Sequence, residues 1–129
     1  MGKTLQELVA EARARITEIG TDALQDKLAS EVDLLLVDVR EPAEWDAGRI
    51  PGAVLIPRGT LESSADLHYP KRHELLSAAR EREVVLYCAS GGRSAFGAER
   101  LEAMGFTNVA SLAGGFGAWQ EGGHPVTDD

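Results

Sequence analysis

Two apolar runs, Leu34-Leu35-Leu36-Val37-Asp38-Val39 and Val84-Val85-Leu86-Tyr87-Cys88, do most to restrict the folds open to this chain. Neither alternates apolar with polar residues, as a strand with one wet face does, and both are strand-length rather than helix-length. A continuous apolar run of this kind is what a strand covered on both faces looks like. The runs therefore predict interior strands of a parallel sheet, with helices on either side.

The intervening segments fit that architecture. Leu5, Leu8, Val9, Ala12 and Ile16 recur at helical spacing and predict an amphipathic N-terminal helix. The end of that helix is open: residues 16–19 either continue it or form a short strand, with Gly20 as a break and Thr21-Asp22 as the cap of a second helix over 23–29. Arg40-Glu41-Pro42 opens a helical turn through Trp45, residues 48–53 form a loop, and residues 54–56 form a strand that Pro57 ends. Residues 58–69 carry the least pattern and predict a surface lid or insertion around 61–69, followed by a helix over 70–80. After Cys88, an amphipathic segment over 94–104 is stopped by Gly105. A strand follows at 109–112, then a turn at Gly114-Gly115 into a short helix ending near Gln120. Strands alternating with helices over short connections give an α/β fold. The expected organisation is an N-terminal helical extension at 1–15, one domain over 16–121, and a tail at 122–129.

Length and charge narrow the function. A chain of 129 residues suffices for one core. No apolar run approaches the roughly 20 residues of a membrane span. Residues 1–20 interleave charges with apolar residues, unlike a secretory signal. The formal net charge of −8 argues against nucleic acid and anionic membranes as partners. A lone cysteine excludes an internal disulfide and fits a reducing compartment, so a cytoplasmic location is expected.

That cysteine is the candidate centre of chemistry. Cys88 ends an apolar strand, where α/β folds bind ligands, and is followed by Ala89, Ser90, Gly91, Gly92, Arg93 and Ser94. Two adjacent glycines belong where backbone curves tightly or approaches a ligand closely. A short loop feeding a helix N-terminus gathers backbone N–H groups around one sulfur and favours an anion there, as it favours thiolate over thiol. Arg93 reads as the cation of this loop. Asp38, in an apolar strand, and Arg40, at its exit, read as structural support, because a buried carboxylate needs a partner. Arg49, Arg58 and Glu62 are candidates for the rim of the site. Trp45 and Trp119 read as core or loop anchors. His68, His73 and His124 lack metal-ligand spacing and read as surface residues, and the pattern calls for no cofactor or metal. These features leave phosphate, arsenate and sulfur chemistry all open.

Four separated motifs resemble the rhodanese-like domain family over roughly residues 16–120: Leu-Val-Asp-Val-Arg-Glu at 36–41, Gly-Arg-Ile-Pro-Gly-Ala at 48–53, Cys-Ala-Ser-Gly-Gly-Arg-Ser at 88–94, and Gly-Gly-Phe-Gly-Ala-Trp at 114–119. Arg49 departs from the pattern, standing where the family commonly has His. The resemblance implies a central, mostly parallel five-stranded sheet with helices on both faces. It also implies a sulfurtransferase of the thiosulfate type, in which Cys88 alternates between thiolate and persulfide. The donor would be thiosulfate or another persulfide. The acceptor would be cyanide or an external thiol, small molecule or protein, because the chain has no second cysteine.

Two rivals share the fold. A phosphatase or arsenate reductase would resemble the dual-specificity phosphatases, whose loops place five residues between Cys and Arg, whereas here there are four. One residue is worth up to about 3.6 Å of contour, so the smaller ring suits a single sulfur better than a tetrahedral phosphate. A non-catalytic interaction module is the other, and the retained Cys88 and glycine loop speak against it.

Overall fold

In the computed structural model, which describes residues 1–129, the two apolar runs become adjacent strands of one sheet. Its strands are β1 (Thr17–Ile19), β2 (Leu34–Asp38), β3 (Val54–Leu55), β4 (Glu83–Tyr87) and β5 (Val109–Leu112), in the order β1-β5-β4-β2-β3. Every pairing is parallel. β4 is thus the middle strand, with Val37 opposite Leu86 and Asp38 opposite Tyr87.

Side chains one residue apart on these strands enter different cores, because successive Cβ atoms point to opposite faces. Leu35, Val37, Val84, Leu86 and Cys88 join one cluster with Leu61, Leu76, Ala98 and Leu101. Leu36, Val85 and Tyr87 join the other with Leu24, Leu112, Phe116 and Trp119. Two-sided burial explains why the sequence runs lack alternation. At about 1.5–3 kcal/mol per fully buried large apolar side chain, it is also the main stabilising term of the sheet.

Seven helices flank the strands: α1 (Leu5–Arg15), α2 (Thr21–Ala29), α3 (Pro42–Ala47), α4 (Leu61–Ala65), α5 (Glu74–Ser77), α6 (Gly92–Ala103) and α7 (Gly115–Glu121). The residues of α4, α5 and α6 supply the first cluster, those of α2 and α7 the second. α1 lies on α6 rather than on the sheet, with Ala12 buried and Arg15 paired to Glu99. Its start is fixed by a capping box in which Thr4 Oγ1 accepts from the Glu7 N–H and Glu7 accepts from the Thr4 N–H.

Three sequence expectations need correction. Residues 61–69 are a surface segment only at their end, where 67–69 are exposed: a 3₁₀ turn over Arg58–Thr60 leads into α4, whose Leu61 and Ala65 are completely buried in the first cluster. The helix expected over 70–80 is only the single turn of α5, where Leu76 is buried but Leu75 faces solvent, with Ala79 buried just beyond it. The cap of α2 is Gly20, which offers no side-chain hydrogen bond, instead of Thr21-Asp22. The last residues turn back on the body: Trp119 Nε1 donates to the Pro125 carbonyl at 2.7 Å, and Thr127 forms an antiparallel bridge with Arg49.

Candidate active site

Cys88 follows the last residue of the middle strand, and α6 begins four residues later at Gly92. The loop between them must reverse within three residues, which Gly91 allows with φ of 106°. A Cβ at Gly91 would meet nothing closer than 3.5 Å, so conformation and not space reserves that position for glycine.

The loop curls around the sulfur. Gly91 N–H donates to Cys88 Sγ at 3.1 Å and Ser94 N–H at 3.4 Å, while Ser94 Oγ stands 3.5 Å away. Ser94 Oγ also lies 2.8 Å from Ser111 Oγ on β5 and 3.3 Å from the Gly91 carbonyl. If Ser111 donates to Ser94, the Ser94 proton is left for either Sγ or the Gly91 carbonyl. Two backbone N–H donors thus converge on one sulfur, with the Ser94 hydroxyl beside them, at the positive end of a 12-residue helix, an arrangement that stabilises negative charge there. Of the loop residues singled out from sequence, Gly91 and Ser94 reach the sulfur. Ala89 acts through its carbonyl, and Ser90, Gly92 and Arg93 line the adjoining cleft.

A second glycine turn clamps the loop from behind. Phe116 N–H donates to the Cys88 carbonyl at 2.8 Å and Gly117 N–H to the Ala89 carbonyl at 3.0 Å. Gly115 permits that approach, because a Cβ there would sit 2.5 Å from the Cys88 carbonyl oxygen. Cys88 is therefore held by backbone on both sides and is 1% exposed.

Arg93 does not close over the sulfur. Its Nη1 and Nη2 donate to the two carboxylate oxygens of Glu44 at 2.8 and 3.0 Å. Glu44 is itself fixed by the Glu41 N–H at the start of α3. Chiefly through this hydrogen-bonded pair, Glu44 is pulled down to about 2. Arg93 is held more firmly charged by Glu44 first and, at longer range, by Cys88. Glu44 has no signal in the sequence, since its partner is 49 residues away.

Asp38 and Arg40 form a buried ion pair with each other. Arg40 Nη2 donates to Asp38 Oδ2 at 2.7 Å and to the Gly48 carbonyl at 2.7 Å, with the guanidinium 4.4 Å from the Phe116 ring centroid. Asp38 Oδ1 accepts from the Arg40 N–H. The pair ties β2 to the 48–53 loop and to α7. Tyr87 adds to this layer, its hydroxyl accepting from the Ile50 N–H at 3.1 Å. Burial pushes the Tyr87 phenol well up from its ordinary value, so it remains neutral.

The three rim candidates sit farther out. Arg49 lies over the Trp45 ring at 4.6 Å and donates to the Trp45 carbonyl. Arg58 pairs with Glu62 at 2.8 Å, and Arg100 also reaches Glu62. None of the three hydrogen-bonds to the 88–94 loop. His73 does local work, its Nδ1 accepting from the Leu76 N–H to cap α5, and His124 stacks near Trp119 and pairs with Asp22.

A family profile described as a rhodanese-like domain matches residues 21–122. A sulfurtransferase of Allochromatium vinosum is 36% identical over 111 residues, covering 86% of this chain and 94% of its own length. A Rhodopseudomonas palustris structure, of a protein of unknown function and possible tyrosine phosphatase, superposes with a TM-score of 0.91 at 32% identity, covering 98% of this chain and 96% of that one. The human single-domain sulfurtransferase superposes with a TM-score of 0.71 at 32% identity, covering 81% and 95%.

Proposed function

The chain belongs to the rhodanese-like domain family, and on that footing we propose that it is a sulfurtransferase whose carrier is a persulfide on Cys88. The observation that carries this reading is the donor set at Sγ, two backbone N–H groups and one hydroxyl around a sulfur at a helix N-terminus.

The reaction has two displacements. The Cys88 thiolate attacks the outer sulfur of thiosulfate, a new S–S bond forms, and the old S–S bond breaks, leaving with its electron pair as sulfite. Cys88 then carries a persulfide anion, so one negative charge remains on the loop and two depart. In the second step cyanide or an acceptor thiolate attacks the outer sulfur. The S–S bond breaks, its electron pair returns Cys88 to thiolate, and thiocyanate or an organic persulfide leaves. Gly91 N–H, Ser94 N–H and Ser94 Oγ oppose the charge throughout, and Gly115 with α7 keeps the loop from relaxing away. Other persulfide donors use the same nucleophile. Both steps obey thiol-exchange chemistry, with rate set by the attacking thiolate and by the leaving group. With no second cysteine in the sequence, the acceptor comes from outside. A carrier that must be reduced to act suits the cytoplasm, where thiols are kept reduced.

The possible phosphatase activity of the R. palustris structure is the alternative with an observation behind it. Two features weigh against it here: only four residues separate Cys88 from Arg93, and Arg93 is turned toward Glu44 with no hydrogen bond to Cys88 Sγ. A phosphate needs that guanidinium turned inward.

Thiocyanate formation from thiosulfate and cyanide is the test. Turnover by the parent chain that disappears in Cys88→Ala supports the reading. Its absence with every sulfane donor, alongside hydrolysis of an aryl phosphate, overturns it.

A further inference from the structure

The one sizeable cavity beside the loop is a cleft of about 520 Å³ between α1 and the start of α6. Its floor is Ser90, Gly91, Gly92 and Arg93, and Gly91 is the residue whose N–H holds Cys88 Sγ. Its far wall is α1, which lies outside the span matched by the rhodanese-like profile. The cleft therefore joins the shared chemistry to an element the shared domain does not contain.

We propose that this cleft binds the organic part of the acceptor thiol, a small molecule with an apolar arm and a carboxylate, and that α1 sets the specificity for it. The proposal rests on the sulfurtransferase reading above. Cleft size is the first argument: about 520 Å³ lies within the range of ligand sites, roughly 300–1,000 Å³, and is far larger than thiosulfate or cyanide requires. Lining is the second. Leu5, Val9, Ala10 and Phe96 present hydrocarbon, and Leu5 is left 69% exposed at the mouth with no protein group covering it. Charge is the third. In a chain of net charge −8, this cleft is lined by two arginines, Arg13 and Arg93, and by no acid. Each already holds one carboxylate, Glu18 and Glu44, yet a guanidinium has five N–H donors and these pairs use only two nitrogens apiece. A carboxylate entering between them finds donors, while a hydrocarbon chain finds Val9 and Phe96.

The wall packs closely on the loop. Val9 Cγ2 comes within 3.3 Å of the point where a Gly92 Cβ would stand, and α1 is fastened to α6 by the Arg15–Glu99 pair. A side chain at position 92 would need Val9 to give way by a few tenths of an ångström.

The full-length chain, loaded at Cys88 from thiosulfate, is tested for transfer to mercaptohexanoate, mercaptohexanol and cyanide, as parent, Ala10→Trp and Arg13→Gln. Ala10 is exposed, so an indole there fills the cleft without entering the core. The expected result is a loss of about tenfold in the kcat/KM ratio of mercaptohexanoate to cyanide in Ala10→Trp, carried by KM. Arg13→Gln is expected to erase much of the preference for mercaptohexanoate over mercaptohexanol. Ratios unchanged in both variants overturn the assignment. Hexanoate, which has no thiol, is titrated separately against isotopically labelled protein, with shifts expected at Val9, Gly92 and Phe96; shifts elsewhere only would also overturn it. A parent that binds hexanoate in the cleft but never gains sulfur keeps the site and removes the sulfurtransferase reading.

Discussion

Arg93 and Glu44 face each other through two parallel N–H···O bonds, 2.8 and 3.0 Å long, that join the first turn of α6 to that of α3. Arg93 therefore braces the loop from outside, and the groups that point at the sulfur are backbone N–H groups and a serine.

Glu44→Gln is expected to lower stability at neutral pH by up to about 1 kcal/mol, the scale of a partly exposed pair. The sign with pH follows from the direction of the shift. A carboxylate depressed in the folded state stabilises above its ordinary value of 4.5 and loses that contribution as pH falls toward about 2. Urea unfolding of parent and variant across this window should show two curves apart at pH 7 that converge below pH 4.5; a constant gap contradicts the pairing.

Gly91→Val is expected to abolish sulfur loading while unfolding remains cooperative. The cost, about 1–3 kcal/mol, comes from forcing a β-branched residue to φ near 106°. Mass analysis after thiosulfate treatment, with thermal unfolding in parallel, checks both halves. Normal loading would mean that the cradle is not needed.

Gly115→Ala probes the clamp. The added Cβ would lie 2.5 Å from the Cys88 carbonyl oxygen and 2.7 Å from the Ala89 carbonyl carbon, so the loop must move. Stability is expected to fall by about 1–3 kcal/mol and persulfide formation to slow in the molecules that remain folded. Wild-type rates measured by single-turnover loading would show that the loop holds its shape without α7.

Asp38→Asn leaves Arg40, 4% exposed, without its anion. Removing one partner of a buried pair costs about 3–5 kcal/mol. Denaturant titration should register that loss, whereas the loading rate per folded molecule should stay near that of the parent. A collapse in rate with stability intact would instead give Asp38 a part in the chemistry.

The features legible in the sequence are those encoded locally. Residues 34–39 and 84–88 announce two-sided strands because burial removes the alternation, and Cys88-Ala-Ser-Gly-Gly-Arg announces a tight loop because Gly91 needs positive φ. What the sequence hides is either too short or too distant. Leu61 and Ala65 are four apart in a five-residue helix, less than two turns, so no periodicity marks them as core. The run after Pro70 offers Leu75, Leu76 and Ala79, but the helix is one turn long and ends before Ala79, so Leu76 is buried on it while Leu75 is left to solvent. Glu44 and Ser111 touch the site from α3 and β5 across 49 and 17 residues of chain, and nothing in either neighbourhood names the partner.

The central claim, that Cys88 carries a sulfur in a cradle of Gly91 and Ser94, is tested most directly by intact-protein mass after brief exposure to thiosulfate. The expected result is a gain of one sulfur atom in the parent chain, discharged by cyanide and absent from Cys88→Ser. A parent that gains no sulfur from thiosulfate or from an organic persulfide, while remaining folded with a reactive Cys88, would contradict it.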